Sequence, residues 1–151
     1  MRPISRRDSL GLVKRLVLVT LLAAGCSHRL TGGPAAGVQM SERHRYYVIT
    51  DKKDDPVAVA LEKDLSARGS SVSTGLDWAI PADAEVKVLF TANWARDVTP
   101  FLKELKIEMI DVRSGAALAS GQSDRTSISR KGVGQMVKEV DDRIFSRASS
   151  E

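Results

Sequence analysis

At 151 residues, 42% of them hydrophobic, the chain has room for one folded domain with one modest core. Its formal net charge of +4 invites a nucleic-acid reading, but five of the 23 Lys and Arg and one of the 19 Asp and Glu precede Cys26, so 18 of each stand from there on and that part is neutral. A basic footprint for DNA or RNA is thereby excluded, and a single cysteine excludes an internal disulfide framework.

In chain order, Arg2, Arg6, Arg7, Lys14 and Arg15 precede Leu16–Cys26, LVLVTLLAAGC, an uncharged run of eleven residues. A basic head and a short apolar run ending on small residues read as a secretory signal over residues 1–25. Eleven residues fall short of the roughly 20 that a spanning helix needs. Ala23-Ala24-Gly25-Cys26 resembles the lipobox of bacterial lipoproteins, with the leucine one place early, at Leu22. That resemblance implies cleavage before Cys26, a diacylglyceryl group on its thiol and a further acyl chain, such as palmitate, on its amino group. Two or more such chains anchor a protein stably. Ser27, where an aspartate would signal retention in the inner membrane, implies an outer-membrane, periplasm-facing location. Ser5-Arg6-Arg7-Asp8-Ser9-Leu10 looks like the start of a twin-arginine motif, yet Ser9 replaces its large apolar residue and Lys14-Arg15 interrupts the run, so a general secretory signal is preferred.

Residues 26–44 are expected to be the lipidated cysteine and a flexible tether, because HRLTGGPAAGVQMS is rich in small residues and lacks periodicity. A single domain is expected over 45–146, with a tail at 147–151. Arg45–Thr50 is β-branched and aromatic and suits a strand. Asp55-Pro56 reads as N-cap and first helical residue, followed by Val57, Leu61 and Leu65 on one face, with Gly69 as the stop. Ser71–Thr74 predicts a short strand, then a loop over 75–84 containing Trp78. Glu85–Ala92 alternates, with Val86, Val88, Phe90 and Ala92 to one side. After a connection at 93–100 that includes Trp94, Leu105–Met109 alternates again, and Arg113-Ser114-Gly115 turns the chain into a strand over 116–123. Val133, Met136, Val137, Val140 and Ile144 predict a final amphipathic helix, with Ser127 or Ser129 as its cap and Lys138, Glu139, Asp141 and Arg143 exposed. The fold class expected is α+β: a two-layer sandwich with a mostly antiparallel four- or five-stranded sheet and two helices on one face.

The residues offer little covalent chemistry. His28 and His44 have no ligand partners at metal spacing and read as solvated, so no metal is expected, and no nucleotide, hydrolase or thiol motif occurs, so no cofactor is expected either. Adjacent Asp141 and Asp142 diverge around a helix and cannot share a proton. The expectation is a non-enzyme. Trp78 and Trp94, both on predicted loops, are the candidate partner contacts, since aromatic side chains anchor interfaces at small entropic cost, although closing one end of a small core is the simpler role for them.

Ile107 to Ser120, with Asp111-Val112-Arg113-Ser114-Gly115 at its turn, is similar to a hairpin of the curli-secretion lipoprotein and of the lipoprotein activators of penicillin-binding proteins. With the first strand, the Arg68-Gly69 helix end and the last helix, the resemblance covers 45–146. It implies a non-catalytic lipoprotein that binds an envelope protein or forms an oligomer, acting as an adaptor or assembly factor anchored to the membrane through lipid on Cys26. A second resemblance, to the lipopolysaccharide-assembly lipoprotein, implies glycolipid binding instead, for which Arg125, Arg130 and Lys131 are the available cations.

Overall fold

The structure, a computed structural model, describes residues 28–146. The signal, Cys26 and the tail from 147 lie outside the described residues. Six strands and two helices follow in the order β1 (Arg29–Pro34), β2 (Arg45–Ile49), α1 (Pro56–Ala67), β3 (Ser71–Gly75), β4 (Val86–Arg96), β5 (Pro100–Asp111), β6 (Ala117–Asp124) and α2 (Val133–Phe145). The strands form one sheet in the order β1-β6-β5-β4-β2-β3. Pairs β1–β6, β6–β5 and β5–β4 are antiparallel, whereas β2 runs parallel to both β4 and β3. Both helices lie on one face and touch each other. The α+β class therefore holds, with six strands in place of four or five.

The additional strand comes from the segment read as a tether. Arg29–Pro34 pairs along its whole length with β6, from Arg29 opposite Asp124 to Pro34 opposite Ala119. Its glycines look like linker residues in sequence, but Gly32 has φ 123°, and a Cβ there would sit 2.2 Å from the Ser120 carbonyl oxygen. Only glycine lets the two backbones approach so closely. Arg29–Pro34 thus belongs to the sheet, and the residues after β1 cross the sheet's lower end through a 3-10 turn at Met40–Glu42, where Met40 is buried and its carbonyl accepts from Tyr46 Oη.

Local signals place the other elements. Asp55 caps α1, its carboxylate accepting from Val57 N at 2.9 Å and Ala58 N at 3.3 Å. The cap of α2 is Gly132, not Ser127 or Ser129, and Gln135 Oε1 accepts from the Gly132 N–H at 3.3 Å. The Asp111 turn is built as its sequence suggests: one carboxylate oxygen accepts from Ser114 N, Arg113 N and Ser114 Oγ, and Gly115 takes φ 71°. Hydrogen bonds from Ser114, first from its backbone N–H, hold the Asp111 carboxyl below its ordinary value.

Tyr46, Val48, Val86, Val88, Leu102, Leu105, Ile107 and Met109 from the sheet meet Val57, Leu61 and Leu65 of α1 and Met136, Val137, Val140 and Ile144 of α2 to form the core. The helix faces read from periodicity are the ones buried, with one exception: Asp141, expected at the surface, is fully buried. The helix α2 passes close enough to β6 that a Cβ on Gly121 would lie 2.6 Å from Val140 Cγ1.

Candidate functional site

The strands β2, β3, β4 and β6 all finish at one end of the sheet, where β1 and β5 begin; we call it the upper end. The hairpin of β4 and β5 extends past its neighbours there. Pairing of β2 with β4 stops at Val48 opposite Val88, while β4 continues against β5 to Arg96 opposite Pro100, with a register shift between Asn93 and Trp94. Asn93 Nδ2 donates to Glu104 Oε2 at 2.7 Å and helps hold the overhang to β5. The connection expected over 93–100 is therefore mostly strand, and its turn shrinks to residues 97–99.

The overhang forms one wall of an open cleft of roughly 560 Å³. Phe90, Ala92 and Trp94 line it from β4, Ile49 to Lys52 and Asp55 from the top of β2 and the turn into α1, and Leu76 to Trp78 from the 3-10 turn after β3. The structure thus brings Trp78 and Trp94, sixteen residues apart in sequence, into one cleft. They do not close a core: Trp78 is 84% exposed and Trp94 49%. Nearby, Val98 at the hairpin tip and Ile128 in the loop after β6 are 91% and 82% exposed. Arg130 ties those two loops together, donating to Asp97 at 2.7 Å and Thr99 at 3.2 Å and lying over the Phe101 ring at 4.6 Å.

Of the three carboxylates in the cleft, Asp55 is occupied as a helix cap, Asp77 pairs with Lys87 at 3.4 Å and Asp51 is exposed at the rim. The cleft is thus suited to binding through aromatic area with a polar rim. The cations named for glycolipid are engaged elsewhere: Arg125 is buried and shares Glu139 with Lys131, and Arg130 holds Asp97. Burial raises the Glu139 carboxyl, and hydrogen bonding and charge from Lys131 and Arg125 outweigh it, leaving the group below its ordinary value. His28 is exposed, and His44 contributes its backbone N–H to Glu85 Oε2 at 2.8 Å, a bond that holds the Glu85 carboxyl low. Among the described residues, no three His, Cys, Asp or Glu converge to hold a metal ion.

A second polar cluster joins the helices. Arg68, the C-cap of α1, donates to Asp64 at 2.7 Å and to Asp142 of α2 at 2.6 Å, with its guanidinium 4.8 Å from the Phe145 ring centre; Lys138 also pairs with Asp142. Beneath it, neither carboxylate oxygen of Asp141 has a hydrogen-bond partner. Burial, followed by the neighbouring Asp64 charge, pushes the Asp141 carboxyl well above its ordinary range. Sequence spacing showed that Asp141 and Asp142 diverge, but not that Asp141 diverges inward.

The fold and the cleft define a small α+β domain with one open end. Among solved structures, the PelC dodecamer from Paraburkholderia phytofirmans is similar over 79% of this chain and 100% of its own, with a TM-score of 0.57 and 19% sequence identity. A leucine-to-methionine variant of that protein, also a dodecamer, gives 0.56 at 20% identity with the same coverage. No protein-family model matches the chain, and no curated protein does. The similarity to PelC is one of fold. No described helix is long and apolar enough to cross a membrane.

Proposed function

We propose that this chain is a non-enzymatic lipoprotein, held to the outer membrane through Cys26 and facing the periplasm, which acts as an oligomeric adaptor or assembly factor for an envelope protein. The observation that carries the binding role is the cleft at the upper end: two tryptophans, Trp78 84% and Trp94 49% exposed, beside a β4 overhang whose outer edge β2 leaves free. Aromatic side chains in that setting are the usual anchors of a protein interface. The oligomeric role is supported by the sharing of this fold with PelC, whose structures are dodecamers and match this domain over their full length. The lipid anchor is supported by the lipobox-like Ala23-Ala24-Gly25-Cys26. The glycolipid alternative loses its support, because Arg125, Arg130 and Lys131 are already paired with carboxylates.

Membrane fractionation and intact-mass analysis of the wild type and Cys26→Ala test the anchor, and native mass spectrometry of the purified wild type tests the assembly. An acylated wild type in the membrane fraction, a soluble Cys26→Ala and a multi-subunit mass are expected. A soluble, unacylated wild type overturns the anchor, and a strictly monomeric one overturns the oligomer.

A further inference from the structure

We propose that one proton shared between Asp64 and Asp141 latches α1 to α2, and that rising pH, by removing it, releases the lower end of the helix layer. The latch is independent of the cleft and of the lipid anchor.

The last turn of α1 and the second half of α2 meet at the lower end, and charged groups from both gather there. Asp64 and the C-cap Arg68 come from α1, and Lys138, Asp141 and Asp142 from α2. Two of the three acids have donors. Asp64 Oδ2 accepts from Arg68 Nε, and Asp142 accepts from Arg68 Nη2 and Lys138 Nζ. Asp141 is wholly buried, and neither of its oxygens meets a donor. From the sheet, Tyr46 of β2 feels the same group, but its hydroxyl donates to Met40 O at 3.3 Å. What lies within hydrogen-bonding reach of Asp141 is another acceptor, the Asp64 carboxylate.

Two ionised carboxylates so placed in a dry interior repel each other, and neither can donate. A proton on Asp141 removes both difficulties. Its O–H then donates to Asp64, and the remaining charges, Asp64 and Asp142 against Arg68 and Lys138, cancel. Burial and the Asp64 charge hold the Asp141 carboxyl in that neutral form well above the ordinary aspartate range. Its neighbour Asp142 is half in solvent, so the partner for the proton comes from the other helix. When the O–H bond breaks, the proton goes to water and a second negative charge stays beside Asp64 with no added cation. The helix ends relieve it by parting enough to admit water.

The test uses the full-length gene product, whose infrared spectrum separates neutral carboxyls from carboxylates. A difference spectrum of wild type minus Asp141→Asn at pH 6 should show one neutral-carboxyl band, since asparagine keeps the shape and the donor. In Asp64→Asn the band should titrate away about one pH unit or more lower, because the like charge is gone and burial alone remains. The closed junction holds one proton more than the opened one between the ordinary carboxyl value and the folded-state value. Over that range amide exchange in the last turn of α1 and in α2 from residue 138 on, normalised to the intrinsic rate, should therefore quicken about tenfold per pH unit. It should level off where the wild-type band disappears, while β4 and β5 stay protected. Band and exchange are both read on the unaltered protein, so a poorly folding variant leaves the latch decided. No neutral carboxyl in the wild type at pH 6 overturns the shared proton. A band that titrates identically in Asp64→Asn assigns it to burial alone and overturns the pairing. Exchange that quickens equally in β4 and β5, or not at all, overturns the latch.

Discussion

Val86 and Val88, on the lower half of β4, are wholly buried, whereas Trp94, on the same face of the same strand further up, is about half exposed. Both halves pair with β5 and both alternate. What differs is the covering: the lower half has β2 beside it and the helices above it, and the upper half has risen past both. Alternation therefore reports which residues share a face, and only the neighbouring elements decide whether that face is core or surface.

Substitutions at each end would break or sharpen the comparison. The largest effect is expected in the covered half: Leu105→Ala, which empties space in the core on the strand that α2 covers, should lower unfolding stability by about 2–5 kcal/mol in denaturant titrations. Next, Gly32→Ala places a methyl against the Ser120 carbonyl at a φ that alanine resists. It should cost roughly 1–3 kcal/mol and speed amide exchange selectively in β1 and β6 if that strand is as integral as its pairing implies. Asp141→Asn tests the buried junction of the helices. Burial raises the folded-state value of Asp141 above its ordinary 3.8, so stability present below that value is lost as pH rises through the folded-state value. The variant should melt higher than the wild type at pH 7–8, by about 1 kcal/mol of stability, and the difference should vanish near pH 4. The smallest effect belongs to the open end: Trp78→Ala should change stability by no more than about 0.5 kcal/mol while weakening whatever contact the cleft makes, measured by cross-linking in cells. A loss of stability like that of Leu105→Ala would return Trp78 to the core.

Much of the fold was legible from residues alone. Asp55-Pro56, the 3.6-residue stripes of both helices, the Asp111–Gly115 turn and the alternation of β4 and β5 each carry a local physical cause, and the structure uses each of them. The overhang was partly legible as well, since Trp94 continues the two-residue step of Phe90 and Ala92 beyond the point where the strand was expected to stop. Other features have no local signature. Pairing of β1 with β6 joins residues about ninety positions apart, and its glycines look in sequence like those of a linker. The burial of Asp141 depends on where α1 lies, which its own helix does not record.

By itself, the sequence determined the charge-neutral body, the lipobox-like run that ends at Cys26, the helices and most strands, because those follow from composition and from contacts within a few residues. Tertiary structure alone decided that residues 29–34 belong to the sheet, that Trp78 and Trp94 share a cleft, and that this cleft opens at the end from which the chain leads to Cys26. Those facts depend on pairing between distant segments, and pairing of that kind is set by the shape of the whole core.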